Sequence, residues 1–355
     1  MHYIGMDIHK NYSQVAVTDE QGDLVDRCRI DHRHREELVG YFNRFPSKTQ
    51  VVMEATCGWG WLSELLQDLG LEVKLANPSK VKIIAESQIK TDKVDALVLA
   101  QLLRTNFLPE AYLAPKEQRE ARDLLRYRIS LVHLRSGVKN RIHALLTRLG
   151  IYHTYSDLFG KEGRSFLSSL ELSPAHLRTL EGYLCLIDTV NKLIGEVEVQ
   201  IRQVVKESED GRRLLTLPGI GFILAYLVLV EIGDINRFSS HKKICSYAGL
   251  VPSVYQSGSK NYRGHISNRA NRYLQWGMIE AAQRAKIIDP FLRKKAEIIA
   301  RKKGPSVATT AIAHHLLTVI YHILKKKTVY RSPKLKYRLS GKPVTTLVAK
   351  RQTVL

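Results

Sequence analysis

The sequence predicts an α/β domain built on a mixed sheet, followed by a mostly helical region. In the first third, short strand patterns alternate with amphipathic helices, whereas from Glu117 onward most periodic segments repeat at helical spacing. The length of 355 residues is enough for two or three domains. The predicted divisions are an α/β domain with trailing basic helices over 1–155, a helical linker over 156–210, a second domain over 211–330, and a basic tail over 331–355.

The predicted elements of the first third follow the order β-β-β-α-β-α-β-α. Runs rich in β-branched and aromatic residues predict the strands YIGMDI, YSQVAVTD, DLVDRCRI, TQVVMEAT and LEVKLANP. Helical periodicity covers REELVGYFNRF, WLSELLQDLG, SKVKIIAES and DKVDALVLAQLLRT. Three consecutive strands followed by βα units describe a mixed sheet with helices packed on it.

Two long helices are predicted after the α/β region. The first covers Glu117 to Leu149, where apolar residues recur at steps of three, four and seven. The second covers about His176 to Glu207, and its apolar residues approach heptad spacing: Leu180, Leu184, Ile187, Val190, Ile194, Val197, Ile201 and Val204. This seam predicts a coiled coil or a helical hairpin. Further helices are predicted over FILAYLVLVEIG, 273–286, 289–303 and 306–327, with a polar, glycine-rich stretch at 252–272.

The chain is strongly basic. It has 55 Lys and Arg against 34 Asp and Glu, a formal net charge of +21, and no acidic residue after Glu297. A surplus of this size indicates a polyanionic partner, with nucleic acid ahead of an acidic lipid surface. The four cysteines are scattered and suggest neither a zinc site nor a disulfide framework. Without a secretory signal or a run of 18 apolar residues, we expect a cytoplasmic protein with no membrane span.

Four carboxylates lie at the ends of predicted elements. Asp7 ends the first strand, Glu54 ends the fourth, and Asp92 and Asp95 lie three residues apart at the start of a helix. Residues at this spacing share a helical face, so two carboxylates there repel each other unless a cation lies between them. That cation is either a neighbouring lysine or a metal ion.

A metal site is the interpretation that the spacing favours. Taken singly, each acid is more simply explained as a solvated surface residue. Two strand-terminal acids together with a helical pair can instead meet at one sheet edge, where they supply the oxygen ligands that a hard divalent cation needs. Mg²⁺ is the expected ion, with Mn²⁺ as a substitute.

A serine in the stretch YQSGSKNYRG is the second candidate. Ser257 precedes a glycine, which lets the backbone approach a ligand closely. Ser259 and Tyr255 are rival nucleophiles by composition alone, and a plain turn is the simplest alternative. The neighbouring side chains that can donate hydrogen bonds to phosphate are Tyr255, Lys260, Tyr262, Arg263, Arg269 and Arg272.

These motifs resemble those of the DEDD transposases of bacterial insertion sequences, the insertion-sequence one-ten family, which is related to Piv-type DNA invertases. YIGMDIHK, VVMEAT and KTDKVDALVLAQLL are similar to its RuvC-like motifs, and LPGIG, ICSYAGLVP and YQSGSKNYRG to its C-terminal domain. Order and spacing match over about residues 1–330. The resemblance implies an RNase H-like (RuvC-like) mixed-sheet domain, a coiled-coil helical insertion, and a helical C-terminal transposase domain.

The resemblance also implies roles for individual residues. It assigns metal binding and catalysis to Asp7, Glu54, Asp92 and Asp95, and nucleophilic attack to Ser257. It implies recombination of donor and target DNA guided by a noncoding bridge RNA, by a homodimer that forms a tetramer in the synaptic complex, at the bacterial nucleoid. Two alternatives remain open: a RuvC-like metal endonuclease in which Ser257 is structural, and a non-catalytic nucleic-acid-binding protein.

Basic side chains near both candidate sites are the predicted nucleic-acid contacts. They are Lys90, Lys93, Arg126, Arg135, Lys139, Lys260, Arg263, Arg269 and Arg272. LPGIG followed by a helix is also typical of a helix-hairpin-helix element, which presents backbone amides to phosphate. The alternative for LPGIG is a helix N-terminus packed in the core.

Nucleic-acid binding is expected to depend strongly on salt. Because each neutralised phosphate releases counterions, log affinity should fall with log salt at a slope near −0.9 per duplex phosphate contact. Removing the tail after Tyr330 should lower the affinity without abolishing chemistry, since no candidate catalytic residue lies there. Fluorescence anisotropy of labelled DNA across a salt series measures the slope, and equal affinity at low and high salt would contradict binding dominated by the phosphate backbone.

Overall fold

A computed structural model describes residues 1–56, 58–84, 92–257, 260–266 and 270–332, and for 92–93, 253–257 and 260–266 it describes the backbone alone. The chain forms two compact units, Met1–Glu120 and Ala121–Leu355. The boundary falls within one long helix, Lys116–Arg148.

The first unit contains a six-stranded mixed sheet. Its strands are β1 (Tyr3–Ile8), β2 (Tyr12–Thr18), β3 (Leu24–Asp31), β4 (Gln50–Glu54), β5 (Glu72–Ala76) and β6 (Glu110–Ala111), in the spatial order β3-β2-β1-β4-β5-β6. β4 runs parallel to β1 and β5 parallel to β4, whereas β2, β3 and β6 pair antiparallel to their neighbours. The predicted mixed sheet and its five strands are confirmed; the two-residue β6 was too short to show a pattern.

Four helices accompany this sheet: α1 (Arg35–Phe42), α2 (Trp59–Asp68), α3 (Pro78–Ile84) and α4 (Asp92–Arg104). Successive residues of a strand point to opposite faces. Ile4 and Met6 of β1 therefore pack in one core with side chains of α1 and α2. Val52 of β4 packs on the other face, with Leu99 of α4.

Gly5 of β1 lies directly against the backbone of α4. A Cβ atom at this position would overlap the carbonyl oxygen of Ala96 and lie 2.6 Å from the amide nitrogen of Ala100. Backbone atoms cannot move aside as a flexible side chain can. The absence of a side chain at Gly5 therefore allows α4 to pack this close to β1.

The second unit is helical with one β-hairpin. Its helices are α5 (Lys116–Arg148, which begins in the first unit), α6 (Lys161–Ser168), α7 (Pro174–Glu207), α8 (Glu209–Leu214), α9 (Phe222–Ile232), α10 (His241–Tyr247), α11 (Arg272–Ile288), α12 (Pro290–Lys303) and α13 (Pro305–Lys326). The hairpin consists of β7 (Pro252–Ser257) and β8 (Lys260–Ile266). It was not predicted, although β-forming tyrosines on either side of a Gly-Ser pair are typical of a hairpin.

The apolar seam of α7 packs against α5 of the same chain. Ile187 shares a buried cluster with Ile142, and Ile194 shares the next cluster with Leu131. Polar contacts follow the same antiparallel register: Arg128 Nη2 lies 2.6 Å from Glu198 Oε1, and Arg135 Nη1 donates to Asn191 Oδ1 at 2.9 Å. The helical-hairpin alternative is thus confirmed. The buried seam residues are not available for a coiled coil with a second copy.

One helix of the described residues, α13, is long and apolar enough to cross a membrane, with a mean hydropathy of 1.4. More than half of that segment, 56%, is buried inside the protein. Ile312, Leu316 and Ile320 are fully buried in the core of the second unit. Burial in this core accounts for the apolar composition, and length and composition alone are weak evidence for a membrane span.

Gly5→Ala is expected to destabilise the first unit by more than about 3 kcal/mol, because the new methyl group would meet backbone rather than a side chain. Gly40→Ala is the matched control: it lies in α1 with no atom within 4 Å of the added Cβ, and alanine should stabilise that helix by about 0.5–1 kcal/mol. Thermal and urea unfolding followed by circular dichroism measures both changes. Equal stability of the two variants would show that α4 can shift away from β1 at little cost.

Candidate functional site

Asp7 and Glu54 lie side by side at the carboxyl ends of two parallel strands. The register of β1 and β4 pairs Gly5 with Val52 and Met6 with Met53, and Asp7 and Glu54 are the next residues on each strand. Neighbouring strands are separated by about 5 Å. The two carboxylates therefore leave the sheet together, on the same face as Gly5 and Val52. The register thus puts these two acids next to each other, and their role in a common site stays a prediction.

The first turns of α4 lie over this edge of the sheet. Asp95 precedes Ala96, whose carbonyl oxygen contacts Gly5, and Gly5 is two residues before Asp7 on the same face of β1. Asp95 is half-buried. Asp92 is the first residue of α4, and its side chain lies outside the described residues, as does Lys90.

Asp7 has a histidine partner that the sequence did not single out. His9 Nε2 lies 3.1 Å from Asp7 Oδ2. The His9 ring stacks on Tyr12 with 4.5 Å between ring centroids, and the guanidinium of Arg29 lies 3.7 Å from the centroid of the Tyr12 ring. A carboxylate, an imidazole and an exposed cation therefore occupy one end of the sheet, an arrangement suited to a phosphate group.

A second histidine lies in the same part of the first unit. His32 Nε2 lies 2.7 Å from Ser13 Oγ, and its other ring nitrogen is 3.4 Å from the carbonyl oxygen of Lys10. Burial lowers the pKa of His32, and the nearby His9 acts in the same direction. The lowered pKa favours the neutral imidazole, which supports the turn between β1 and β2 through these two contacts.

The donor set suits Mg²⁺ or Mn²⁺ in its chemistry. Asp7, Glu54 and Asp95 offer only carboxylate oxygens, which hard cations prefer. Among the residues that the structure describes, no three His, Cys, Asp or Glu side chains come together as a metal site. The described side chains thus supply an adjacent pair of acids with a third on the neighbouring helix, and the predicted fourth ligand, Asp92, is the one whose side chain is not described.

Ser257 is the last residue of β7, at the tip of the hairpin. It pairs with Lys260, the first residue of β8, and Tyr255 pairs with Tyr262 further down the ladder. Residues 258–259 between the strands lie outside the described residues, and the side chain of Ser257 is not described either. At the backbone level, the serine lies at the far end of a two-stranded ribbon.

The predicted nucleic-acid contacts fall into two groups. Arg126, Arg135, Lys139 and Arg272 have described side chains, and each also contacts the protein: Arg135 bonds Asn191, Lys139 lies over Phe159, and Arg272 bonds Gln275. Lys90 and Arg269 lie outside the described residues, whereas only the backbone is described for Lys93, Lys260 and Arg263. Their contact with nucleic acid stays a prediction.

The LPGIG segment packs in the core. A Cβ atom on Gly219 would overlap the carbonyl oxygen of Ala281 in α11, and Gly219 has the positive φ of 83° that glycine tolerates. Leu217 and Ile220 are buried beside it. Close packing of two helices accounts for these positions, which favours the core alternative over a phosphate-binding element.

Two family models match the chain. The DEDD transposase model of the IS110 family matches residues 4–151, and a model described as "Transposase IS116/IS110/IS902 family" matches residues 211–297. Between them they cover well over half of the sequence. The first match contains the strand-terminal acids and α4, and the second contains Ser257.

Similar proteins match over almost their full lengths. The transposase for insertion sequence element IS1111A of Coxiella burnetii is 27% identical over 335 residues, covering 92% of this chain and 91% of the relative. The transposase for insertion sequence element IS1328 of Yersinia enterocolitica is 26% identical over 337 residues, covering 92% and 98%. A probable family 20 transposase of Pseudomonas aeruginosa is 28% identical over 348 residues, also covering 92% and 98%.

Asp7→Asn and Glu54→Gln are each expected to lower Mn²⁺ affinity by more than about 10-fold, because each removes a charged oxygen ligand. Isothermal titration calorimetry at fixed pH measures the affinity, and circular dichroism verifies the fold. Glu36→Gln, an exposed acid in the first turn of α1, controls for loss of overall negative charge. Wild-type affinity in the Asp7→Asn, Glu54→Gln double variant would exclude a metal site at this sheet edge.

Proposed function

Because the chain belongs to the IS110 family of insertion-sequence transposases, we propose that it recombines donor and target DNA through a phosphoserine intermediate formed by Ser257. One observation carries the proposal from the structural side. Asp7, one residue before the end of β1, and Glu54, the last residue of β4, share the face where Gly5 lets α4, with Asp95, approach β1. Acids from three separate elements at one sheet edge are typical of an enzyme acting on phosphate esters.

The chemistry assigned to Ser257 conserves phosphodiester bonds. The serine oxygen forms a bond to a DNA phosphorus atom and releases one deoxyribose oxygen. The serine proton is given up, and the departing oxygen takes a proton. In the second half, a deoxyribose hydroxyl of the other DNA attacks the same phosphorus and frees the serine. The count of ester bonds is unchanged, so rejoining needs no ATP.

The four acids are proposed to hold the metal ion on which DEDD transposases generally depend. Asp7, Glu54, Asp92 and Asp95 would be its ligands, with Mg²⁺ or Mn²⁺ as the ion. When bound, the ion supplies charge stabilisation at phosphate and assistance to a weak hydroxyl nucleophile. The chain's own contribution is to keep the acids together: parallel pairing of β1 and β4 fixes Asp7 beside Glu54, and Gly5 fixes the start of α4 nearby.

The first unit is proposed to have an RNase H-like fold. Its three antiparallel strands, followed by two that run parallel to β1 in the order β3-β2-β1-β4-β5, are consistent with that fold. The predicted division at 1–155, 156–210, 211–330 and 331–355 belongs to the same proposal, as does a homodimer that forms a tetramer. Because the seam of α7 is buried against α5, such a dimer would have to use other surfaces.

A noncoding bridge RNA that pairs with both DNAs is proposed as the guide. The surplus of 55 basic over 34 acidic residues supports binding to more than one nucleic-acid strand. Exposed cations that are not held in buried ion pairs, such as Arg29 over the ring of Tyr12, are suited to the phosphate backbone. Affinity for an RNA transcribed from the flanking element, compared with a scrambled RNA of equal length, tests specificity beyond charge.

Ser257→Ala is expected to abolish both the covalent protein–DNA complex and the recombinant product, because it removes only the attacking oxygen. DNA and RNA affinity should stay within about 2-fold of wild type, since one uncharged oxygen contributes little to a binding dominated by phosphate charge. Denaturing electrophoresis of labelled DNA after a protease-free quench detects the adduct, and peptide mapping locates it.

Ser259→Ala is the matched control, with the same substitution two residues away, and it should remain active. An adduct mapped to Tyr255 or Tyr262 would replace the serine by a tyrosine nucleophile. Free DNA ends without any adduct would favour the metal endonuclease alternative, in which water attacks. Efficient recombination by Ser257→Ala would discard the serine mechanism.

A further inference from the structure

We propose that Glu231 is a positioning residue for the reaction: it holds together the two ends of the β7–β8 hairpin, whose tip carries Ser257. The inference rests on the proposed function of Ser257 and adds a residue that acts on it from a distance. Glu231 lies in α9, outside the hairpin and outside every motif that the sequence singled out. Its side chain is only 1% exposed.

The hairpin leaves and re-enters the helical core at one place. Tyr247 ends α10 shortly before β7 begins at Pro252, and Asn271 caps α11 shortly after β8 ends at Ile266. The backbone nitrogen of Asn271 donates to the carbonyl oxygen of Tyr247 at 2.8 Å. The hairpin is therefore closed at its base by a direct contact between the residues on either side of it.

Glu231 joins this closure through its carboxylate. The side-chain amide of Asn271 donates to Glu231 Oε2 at 2.7 Å and lies 2.9 Å from the hydroxyl of Tyr247. The other amide atom, Oδ1 of Asn271, accepts from the backbone nitrogen of Leu274 and caps α11. One asparagine thus joins a buried carboxylate, the residue before the hairpin and the first turn of the helix after it.

Arginines hold Glu231 in place from the opposite side. Arg122 of α5 donates to the carbonyl oxygens of Val230 and Glu231 at 2.8 and 3.1 Å, and its Nε lies 3.5 Å from Glu231 Oε2. Arg237 donates to the carbonyl oxygens of Ile232 and Glu231 at 2.9 and 3.3 Å. These cations bind the carbonyl groups of the last turn of α9, where the helix dipole favours positive charge.

Burial of a charged carboxylate costs free energy of folding, so Glu231 is expected to have a role that an apolar side chain could not fill. Glu231 Oε1 makes no hydrogen bond in the described part of the chain, and the nearest cation, Nη2 of Arg126, lies 3.6 Å away. An apolar side chain of similar size would fill the same space without leaving a buried oxygen that lacks a hydrogen bond. An apolar residue could supply neither the ion pairs with Arg122 and Arg126 nor the bond to Asn271. Of these contacts, the bond to Asn271 is the one that reaches the hairpin base, and orientation of that base is the role that we assign to it.

Because Ser257 lies at the far end of the hairpin, a small shift at the hairpin base is expected to affect the rate of its reaction. A change of angle at the base of a two-stranded ribbon is amplified at its tip, and a displacement of about 1 Å at a reacting atom costs on the order of 100-fold in rate. Glu231→Gln keeps the size of the side chain and removes its charge. We expect adduct formation at saturating DNA and RNA to fall by about 10- to 100-fold, with nucleic-acid affinity unchanged.

The experiment exchanges donor and acceptor between two positions. Glu231→Gln and Asn271→Asp are made separately and together, because the double variant restores one amide–carboxylate bond, and aspartate still caps α11. The rate of adduct formation, DNA affinity, melting temperature and tryptic cleavage at Lys260 and Arg263 are measured. Each single variant should form adduct more slowly and be cleaved faster by trypsin in the hairpin. The double variant should return both rates towards the wild-type values. Gln283→Ala, an exposed change on α11, is the control.

A separate variant keeps the test decisive if Glu231→Gln does not fold. Asn271→Ser retains a capping oxygen for α11 and loses the amide bonds to Glu231 and to the hydroxyl of Tyr247. Adduct formation at the wild-type rate in Asn271→Ser, or no recovery in a folded double variant, would overturn the inference. Ser257→Ala distinguishes failure of this inference from failure of the proposed function. If Ser257→Ala still forms adduct, the proposed function fails. If Ser257→Ala forms no adduct while the Glu231 and Asn271 variants form it at the wild-type rate, only the role of Glu231 fails.

Discussion

The close approach of Gly5 to the backbone of α4 is the constraint on which the first unit depends. β1 lies in the middle of the sheet, and the neighbouring β4 carries the second acid. With no side chain at Gly5, the helix contacts β1 through Ala96 and Ala100. A bulkier residue would lift α4 and move Asp95 away from the strand ends. Asp7 and Glu54 lie side by side because β1 and β4 pair in parallel. Asp95 approaches the strand ends because Gly5 has no side chain, and not through attraction to the other acids, since like charges repel.

The second unit uses the same kind of contact between α9 and α11. Gly219, before α9, lies against Ala281 and Ala285 near the end of α11. Gly277 lies against Leu227 midway along. At the far end, Glu231 bonds Asn271, the cap of α11. Close packing and one buried polar contact thus fix the two helices along their whole length, and the hairpin with Ser257 projects from the fixed end.

Charge in this protein has two separate uses. Some arginines stabilise the fold: Arg128 pairs with Glu198 across the α5–α7 hairpin, and Arg122 binds the carbonyl oxygen of Val230 at the end of α9. Others, such as Arg29, remain exposed, with the guanidinium over the ring of Tyr12. Net charge therefore overstates the surface available to nucleic acid, because part of the positive charge between Arg119 and Arg148 is needed for packing the second unit.

The sequence by itself predicted the succession of strands and helices in the first unit and the two long helices, and it singled out four acids as a candidate site, because periodicity and element ends are local properties. It left open whether the α7 seam pairs within the chain and whether LPGIG faces solvent, and it did not predict the hairpin within 252–272. Tertiary structure decided these through the burial of Ile187 and Ile194 against α5, the contact of Gly219 with α11, and the β7–β8 pairing. The contacts of Glu231 could not be predicted from the sequence, because Asn271 lies 40 residues later and Arg122 more than 100 residues earlier in the chain. Only folding brings such distant positions into contact.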